Sequence, residues 1–220
     1  MSDTASRLNR WMVIGTTTIM GIDLITLVFT QQYFNAMLVF AIALLVLAPT
    51  LLGQRLPVVI PAEFQVLALA FMFSALFLGE VRNYYEEIWW WDIALHTSSG
   101  LMLGLVGFLL VYILNENARA DLNMRPRFVA LFAFLFAVAV GAVWEIFEFS
   151  MDRVLGTSMQ KAMFGDDSGL TDTMWDLIVD TIGALVISCM GWWYMHRRER
   201  SFIEVWIRKF IVRNPRLFRR

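Results

Sequence analysis

Six apolar stretches, each close to the length that crosses a bilayer, constrain this chain more than any other feature: Trp11 to Phe29, Ala36 to Leu52, Phe64 to Gly79, Trp91 to Leu114, Phe128 to Phe149 and Met174 to Tyr194. A spanning helix needs about 20 mostly apolar residues, because every backbone N–H and C=O must be satisfied inside the segment. With 59% hydrophobic side chains, only 17% charged ones and a mean hydropathy of +0.61, most of the surface must face lipid. The stretches use most of the 220 residues and leave no room for a separate soluble domain. The expected fold is all-α: a polytopic domain of about six transmembrane helices over residues 1–200, then a basic amphipathic tail over 201–220. Pro49, Pro57, Pro61 and Pro126 fall near the proposed helix ends, where a missing N–H does least harm.

Orientation follows from the bases, since Lys and Arg in short loops are retained on the cytoplasmic side. With the N-terminus inside, the inner segments hold Arg7, Arg10, Arg55, Arg119, Arg125, Arg127 and the bases from Arg197 to Arg220, and the outer loops hold only Arg82, Arg153 and Lys161. Both termini are therefore expected in the cytoplasm. The net charge of −1 hides this polarity, basic inside and acidic outside. The first apolar stretch lacks a small-residue cleavage site and reads as an uncleaved anchor. Cys189 is the sole cysteine, which excludes an intramolecular disulfide and a multi-thiolate metal site. In the tail, Phe202, Ile203, Trp206, Ile207, Phe210 and Ile211 alternate with bases, as in a helix lying on an anionic leaflet. Membrane lipid is thus the expected partner, and no nucleic-acid patch, nucleotide loop or serine-nucleophile motif is present.

Ionisable groups inside a span cost about 2.5–3.5 kcal/mol each on insertion scales, so each needs a partner or a purpose. They occur here in stripes. Asp92 and His96 open the fourth stretch, Glu145, Glu148 and Asp152 close the fifth, and Asp172, Asp176 and Asp180 open the sixth, all at spacings of three or four that share a helix face. At about 1.5 Å rise per residue, His96, Glu145, Glu148, Asp176 and Asp180 lie roughly 6–12 Å below the outer helix ends, in one layer. Asp23 falls near the same level. Gly100, Gly104, Gly141 and Gly183 continue these faces inward and allow close helix approach.

Carboxylates crowded in low dielectric must gain protons or a cation, and no Lys or Arg is expected at that depth. Oxygen-rich ligands with one imidazole suit a divalent ion such as Zn, Mn, Fe or Mg rather than a soft metal. The candidate metal ligands are His96, Glu145, Glu148, Asp176 and Asp180, and the candidate catalytic carboxylates are Glu145, Glu148 and Asp92, the last also placed to orient the imidazole. A single acid can instead lock two helices by hydrogen bonding, a reading that suits Asp23, Asp92, Asp152 and Asp172. Glu80, Glu86 and Glu87 line an outer vestibule or a solvated loop. His196 beside Arg197 reads as a solvated flank, the Trp89–Trp91 and Trp192–Trp193 groups as interfacial anchors, and the methionines as packing.

The strings Trp-Asp-Ile-Ala-Leu-His at 91–96, Gly-Ala-Val-Trp-Glu-Ile-Phe-Glu-Phe at 141–149 and Asp-Thr-Met-Trp-Asp-Leu-Ile-Val-Asp-Thr-Ile-Gly-Ala at 172–184 resemble the YjdF-type family, distantly similar to VanZ-like proteins. The resemblance covers the last three helices and implies a bacterial inner-membrane location and attention to the same acids and histidine. The expected function is a membrane-embedded, periplasm-facing His/Asp/Glu pocket that binds a divalent metal and acts by metal-assisted hydrolysis or transfer on a lipid-linked or amphiphilic substrate. Two other classes are kept: a proton- or cation-coupled transporter with the carboxylates as relays, and a scaffold whose polar layer only joins helices. Transport has against it the scarcity of polar groups in the first three stretches and the lack of a visible inverted repeat. The orientation is checked by fusion: a reporter joined after Arg220 is expected to be active only in its cytoplasmic form, and periplasmic activity would overturn the sidedness.

Overall fold

The structure, a computed structural model, describes residues 2–52, 59–116, 124–197 and 202–215. Arg55, Pro57, Arg119, Arg198 and the bases beyond Pro215 lie outside the described residues. The elements are α1 (Ser2–Phe29), α2 (Tyr33–Leu52), α3 (Ala62–Met72) running into a π-helical segment (Phe73–Val81), α4 (Tyr84–Glu87), α5 (Trp91–Glu116), α6 (Pro126–Leu155), α7 (Leu170–Arg197) and α8 (Phe202–Arg213). Apart from one bridge between Met163 and Asp166, the described residues hold no β-structure. The protein is an all-α polytopic membrane protein: five helices are long and apolar enough to cross a membrane, and a shorter apolar helix, Tyr33–Ala48, accompanies them. The chain forms two compact units, Met1–Ile88 and Trp89–Arg220.

In the first unit, α1, α2 and the α3–π helix pack around Met20, Leu27, Val39, Ile42, Val46, Leu69 and Phe77. Polar links also join its elements. Asn9 donates from Nδ2 to Gln65 Oε1 at 2.8 Å, and Arg82 pairs with buried Asp23 at 2.9 Å. Asp23 thus has a partner inside its own unit, which meets the cost of a charge in a span. The π segment, a wider turn that re-aims the side chains following it, leads directly into Arg82.

The second unit is built on α5, α6 and α7, and glycine is why they fit. A Cβ on Gly100 would strike the Asp180 carbonyl, and one on Gly183 would strike the Thr97 carbonyl. The α5–α7 crossing is therefore reciprocal, each helix offering a glycine to the other's backbone, as small residues allow where there is no water to drive association. Lower on α5, Gly107 faces the Ala133 backbone of α6, where a Cβ would come within 2.7 Å of Cα. Phe108, Ala130, Ala133 and Ile187 fill this end. The tail forms α8, and its Phe210 is buried while Ile211 packs against that same cluster. Helix boundaries extend the sequence reading at several ends, with Pro126 at the first turn of α6, where its lost donor is harmless.

Gly183→Ala is expected to cost about 1–3 kcal/mol, the usual range for overpacking, because the obstructing atom is backbone and must move. Gly15→Ala, whose added Cβ meets nothing within 4 Å, is expected to leave the thermal midpoint in detergent unchanged. Equal midpoints for both variants would refute the close-packed crossing.

Candidate metal centre

Chain direction places the polar groups. Helix α5 begins with Asp92 and His96, α6 runs the opposite way and ends past Glu145 and Glu148, and α7 begins with Asp172, Asp176 and Asp180. All lie at one end of the three-helix unit. The His96 ring sits at the centre: Nε2 is 3.6 Å from Asp92 Oδ1 and 3.8 Å from Asp176 Oδ2, and Nδ1 is 3.3 Å from Asp180 Oδ2 and 3.9 Å from Glu145 Oε1. Glu145, Asp176 and Asp180 are 3%, 1% and 2% exposed. Asp92 and His96 form the more open edge of the cluster.

The imidazole is bracketed by four carboxylates, yet the two ring nitrogens have different surroundings. On the Nε2 side, one ligand atom each from Asp92, His96 and Asp176 lies within 4.8 Å of the others, the one such set among the described residues. Both oxygens of Asp176 and both of Glu145 are buried without a hydrogen bond. An oxygen acceptor buried without a donor costs about 1–3 kcal/mol, and more when charged. On the Nδ1 side Asp180 is already engaged, because its Oδ1 accepts a short hydrogen bond from the Ser99 hydroxyl.

The remaining acids do other work. Glu148 lies one turn beyond Glu145 but accepts the Trp144 indole N–H at 2.8 Å; among the described contacts it does not reach His96. Asp152 accepts the Met159 amide at 2.8 Å, the Gln160 amide at 2.9 Å and the Thr157 hydroxyl at 2.6 Å. Asp172 accepts the Lys161 amide at 2.7 Å. These bonds draw the 156–169 loop back over the helix ends. Gly156, with φ of +65°, ends α6 in the left-handed conformation that suits glycine. Lys161, in this loop, gives its backbone amide to Asp172 and its ammonium to the Ser158 carbonyl at 2.7 Å.

Sequence reasoning named every acid in the cluster and missed Ser99, Trp144 and the loop. Ser99 was readable in principle, three residues after His96 and so on the same face of α5. The loop contacts span eight and eleven residues, and no helical periodicity encodes them.

A family model described as "Predicted membrane protein (DUF2238)" matches residues 11–197. The chain belongs to the DUF2238 family. That assignment agrees with the YjdF-type resemblance and extends it from three helices to nearly the whole chain. An uncharacterised protein of Thermotoga maritima is 30% identical to this DUF2238 member over 129 residues, 59% of this chain and 62% of the relative. The chain therefore spans less than two thirds of that relative's length. No solved structure matches.

Asp166 supplies a pH test of the loop. It accepts the Ser168 amide at 2.9 Å, the Thr171 amide at 3.1 Å and the Thr171 hydroxyl at 2.7 Å. The Ser168 and Thr171 side chains, then their amides, hold its carboxyl well below the usual carboxylate range. A depressed native pKa contributes stability that is fully present above the unfolded value, about 3.9 for Asp, and is lost as pH falls through the native one. Amide exchange at Ser168 and Thr171 is expected to stay slow down to pH values below the ordinary aspartate range, and Asp166→Ala to speed it at neutral pH. Loss of protection near pH 5 would contradict the capping role.

Proposed function

We propose that this chain is a bacterial inner-membrane protein that binds one divalent cation through Asp92, His96 and Asp176 at the periplasmic end of α5, α6 and α7. The observation that carries the reading is the compact Asp92–His96–Asp176 set, next to buried carboxylate oxygens of Asp176 that have no donor. A cation supplies what those oxygens lack, since a buried acceptor must find a donor, a proton or a metal. The donor set of two carboxylates and one imidazole suits a borderline or hard ion such as Zn, Mn, Fe or Mg. The reading changes the expected set: Asp92, expected as a catalytic or orienting carboxylate, becomes a ligand, and Glu145, Glu148 and Asp180 leave the ligand set. The periplasmic side follows from the distribution of bases, with all but three of the 18 Lys and Arg assigned to the other face.

A divalent ion held by Asp92, His96 and Asp176 would supply Lewis-acid chemistry at that end of the helices. Of the expected catalytic carboxylates, Glu145 lies beside Nδ1, on the other side of the ring from that set, and Glu148 holds its indole partner one turn away. Hydrolysis or transfer on an amphiphilic, lipid-linked substrate fits a site on helices that face lipid. A proton relay fits less well, because Gly100 and Gly183 seat the α5 and α7 backbones against one another directly below Asp180.

Elemental analysis of protein purified in detergent without chelator is expected to give about one equivalent of divalent metal, and none from His96→Ala. Saturation at 100 times Kd is expected to stabilise the fold by about 2.7 kcal/mol, in a way that chelator reverses. Wild-type protein that contains no metal, and whose thermal midpoint is unmoved by Zn, Mn, Fe or Mg, would refute the reading.

A further inference from the structure

We propose that Asp180, braced by Ser99, is a positioning residue that settles which nitrogen of His96 faces the cation. The inference rests on the metal reading and deepens it. A neutral imidazole carries one proton, so one ring nitrogen donates and the other offers its lone pair. A carboxylate can only accept, and the nitrogen that lies within hydrogen-bond reach of one is therefore the nitrogen that keeps the proton. At His96 that nitrogen is Nδ1, 3.3 Å from Asp180 Oδ2. Nε2 lies 3.6 Å from Asp92 and 3.8 Å from Asp176, beyond hydrogen-bond distance but on the side where the three potential ligand atoms converge. Glu145, 3.9 Å from Nδ1, adds negative charge on the protonated side and reinforces the same tautomer.

Asp180 is itself held from several directions. Its Oδ1 accepts the Ser99 hydroxyl, which also lies 2.8 Å from the His96 carbonyl, so that one serine links the acid to the histidine's own turn of helix. A Cβ on Gly141 would stand 2.6 Å from Asp180 Oδ2, so the missing side chain on α6 leaves the space this carboxylate occupies. A Cβ on Gly100 would strike the Asp180 carbonyl, so α5 also sets the position of its backbone. Three helices thus converge on one carboxylate whose role is to aim an imidazole. Partners of this kind, bonded to the far nitrogen of a ligating histidine, typically change metal affinity about 10–100-fold.

The full chain in detergent, titrated with Co(II) and followed by its visible absorption, tests the assignment. Asp180→Ala is expected to keep one Co(II) with an unchanged band and to bind it about 10–100-fold more weakly, with much of the loss recovered in Asp180→Asn, whose amide oxygen still accepts from Nδ1. Asp92→Asn and Asp176→Asn are expected to shift or abolish the band. Gly141→Ala removes no charge and no ligand, and is expected to weaken Co(II) binding in the same direction as Asp180→Ala by displacing that carboxylate. Histidine-selective 15N labelling is readable because His96 and His196 are the chain's two histidines. In Zn(II)-loaded protein it is expected to show the His96 proton on Nδ1 and none on Nε2. A proton found on Nε2, affinity unchanged in both Asp180→Ala and Gly141→Ala, or loss of the Co(II) band in Asp180→Ala as complete as in Asp176→Asn would each overturn the proposal. Wild-type protein that binds no Co(II) would overturn the metal reading and this assignment with it, whereas wild-type binding with affinity unmoved by Asp180→Ala would overturn the positioning role alone.

Discussion

The arrangement depends on one electrostatic constraint: carboxylates that would each be costly in a lipid-facing helix are turned inward around a single imidazole. Asp92, Glu145, Asp176 and Asp180 come within 4 Å of the two nitrogens of His96. Such a cluster can exist only where its helices exclude lipid from the shared face, and that requires close packing. The glycines at 100, 141 and 183 meet the requirement. They let backbone and short acidic side chains approach where any larger residue would hold the helices apart. Packing and electrostatics are thus a single design at this end of the unit.

Hydrogen bonding sorts the acids into two groups. Asp152, Asp166 and Asp172 accept backbone amides of the loop or its flanks, and their charge is balanced by fixed dipoles. They fasten the loop. Asp176 and Glu145 accept none, and for buried oxygen that imbalance is a cost the fold retains. Under the proposed reading, that is where a cation would complete the structure. The first unit makes a useful contrast: one oxygen of its buried Asp23 already has Arg82 at 2.9 Å, and no comparable cluster surrounds it among the described residues.

Serine and tryptophan refine what the charges begin. Trp144 takes Glu148 away from the ring by offering its indole N–H, and Ser99 turns Asp180 toward Nδ1. Acids one helical turn apart therefore do different work. Spacing alone treats Glu145 and Glu148 as equivalent, and likewise Asp176 and Asp180; neighbours on other helices separate them.

The sequence by itself determined the class of fold, the helical segments and the existence of a polar layer, because hydrophobic length and a spacing of three or four residues are local properties that the backbone geometry converts directly into spans and faces. It also marked the glycines, since small residues beside buried acids have a packing meaning before any contact is known. Only the tertiary structure decided which acid meets which nitrogen, that Asp92 belongs beside Asp176 while Asp180 belongs with Ser99, and that Lys161 returns toward the helix ends. Those outcomes depend on the rotation of each helix about its axis and on loop contacts between residues far apart in the chain. A shift of one residue in spacing turns a side chain by about 100°, which is enough to carry a carboxylate from one ring nitrogen to the other, and only the packing of three helices against one another selects that angle.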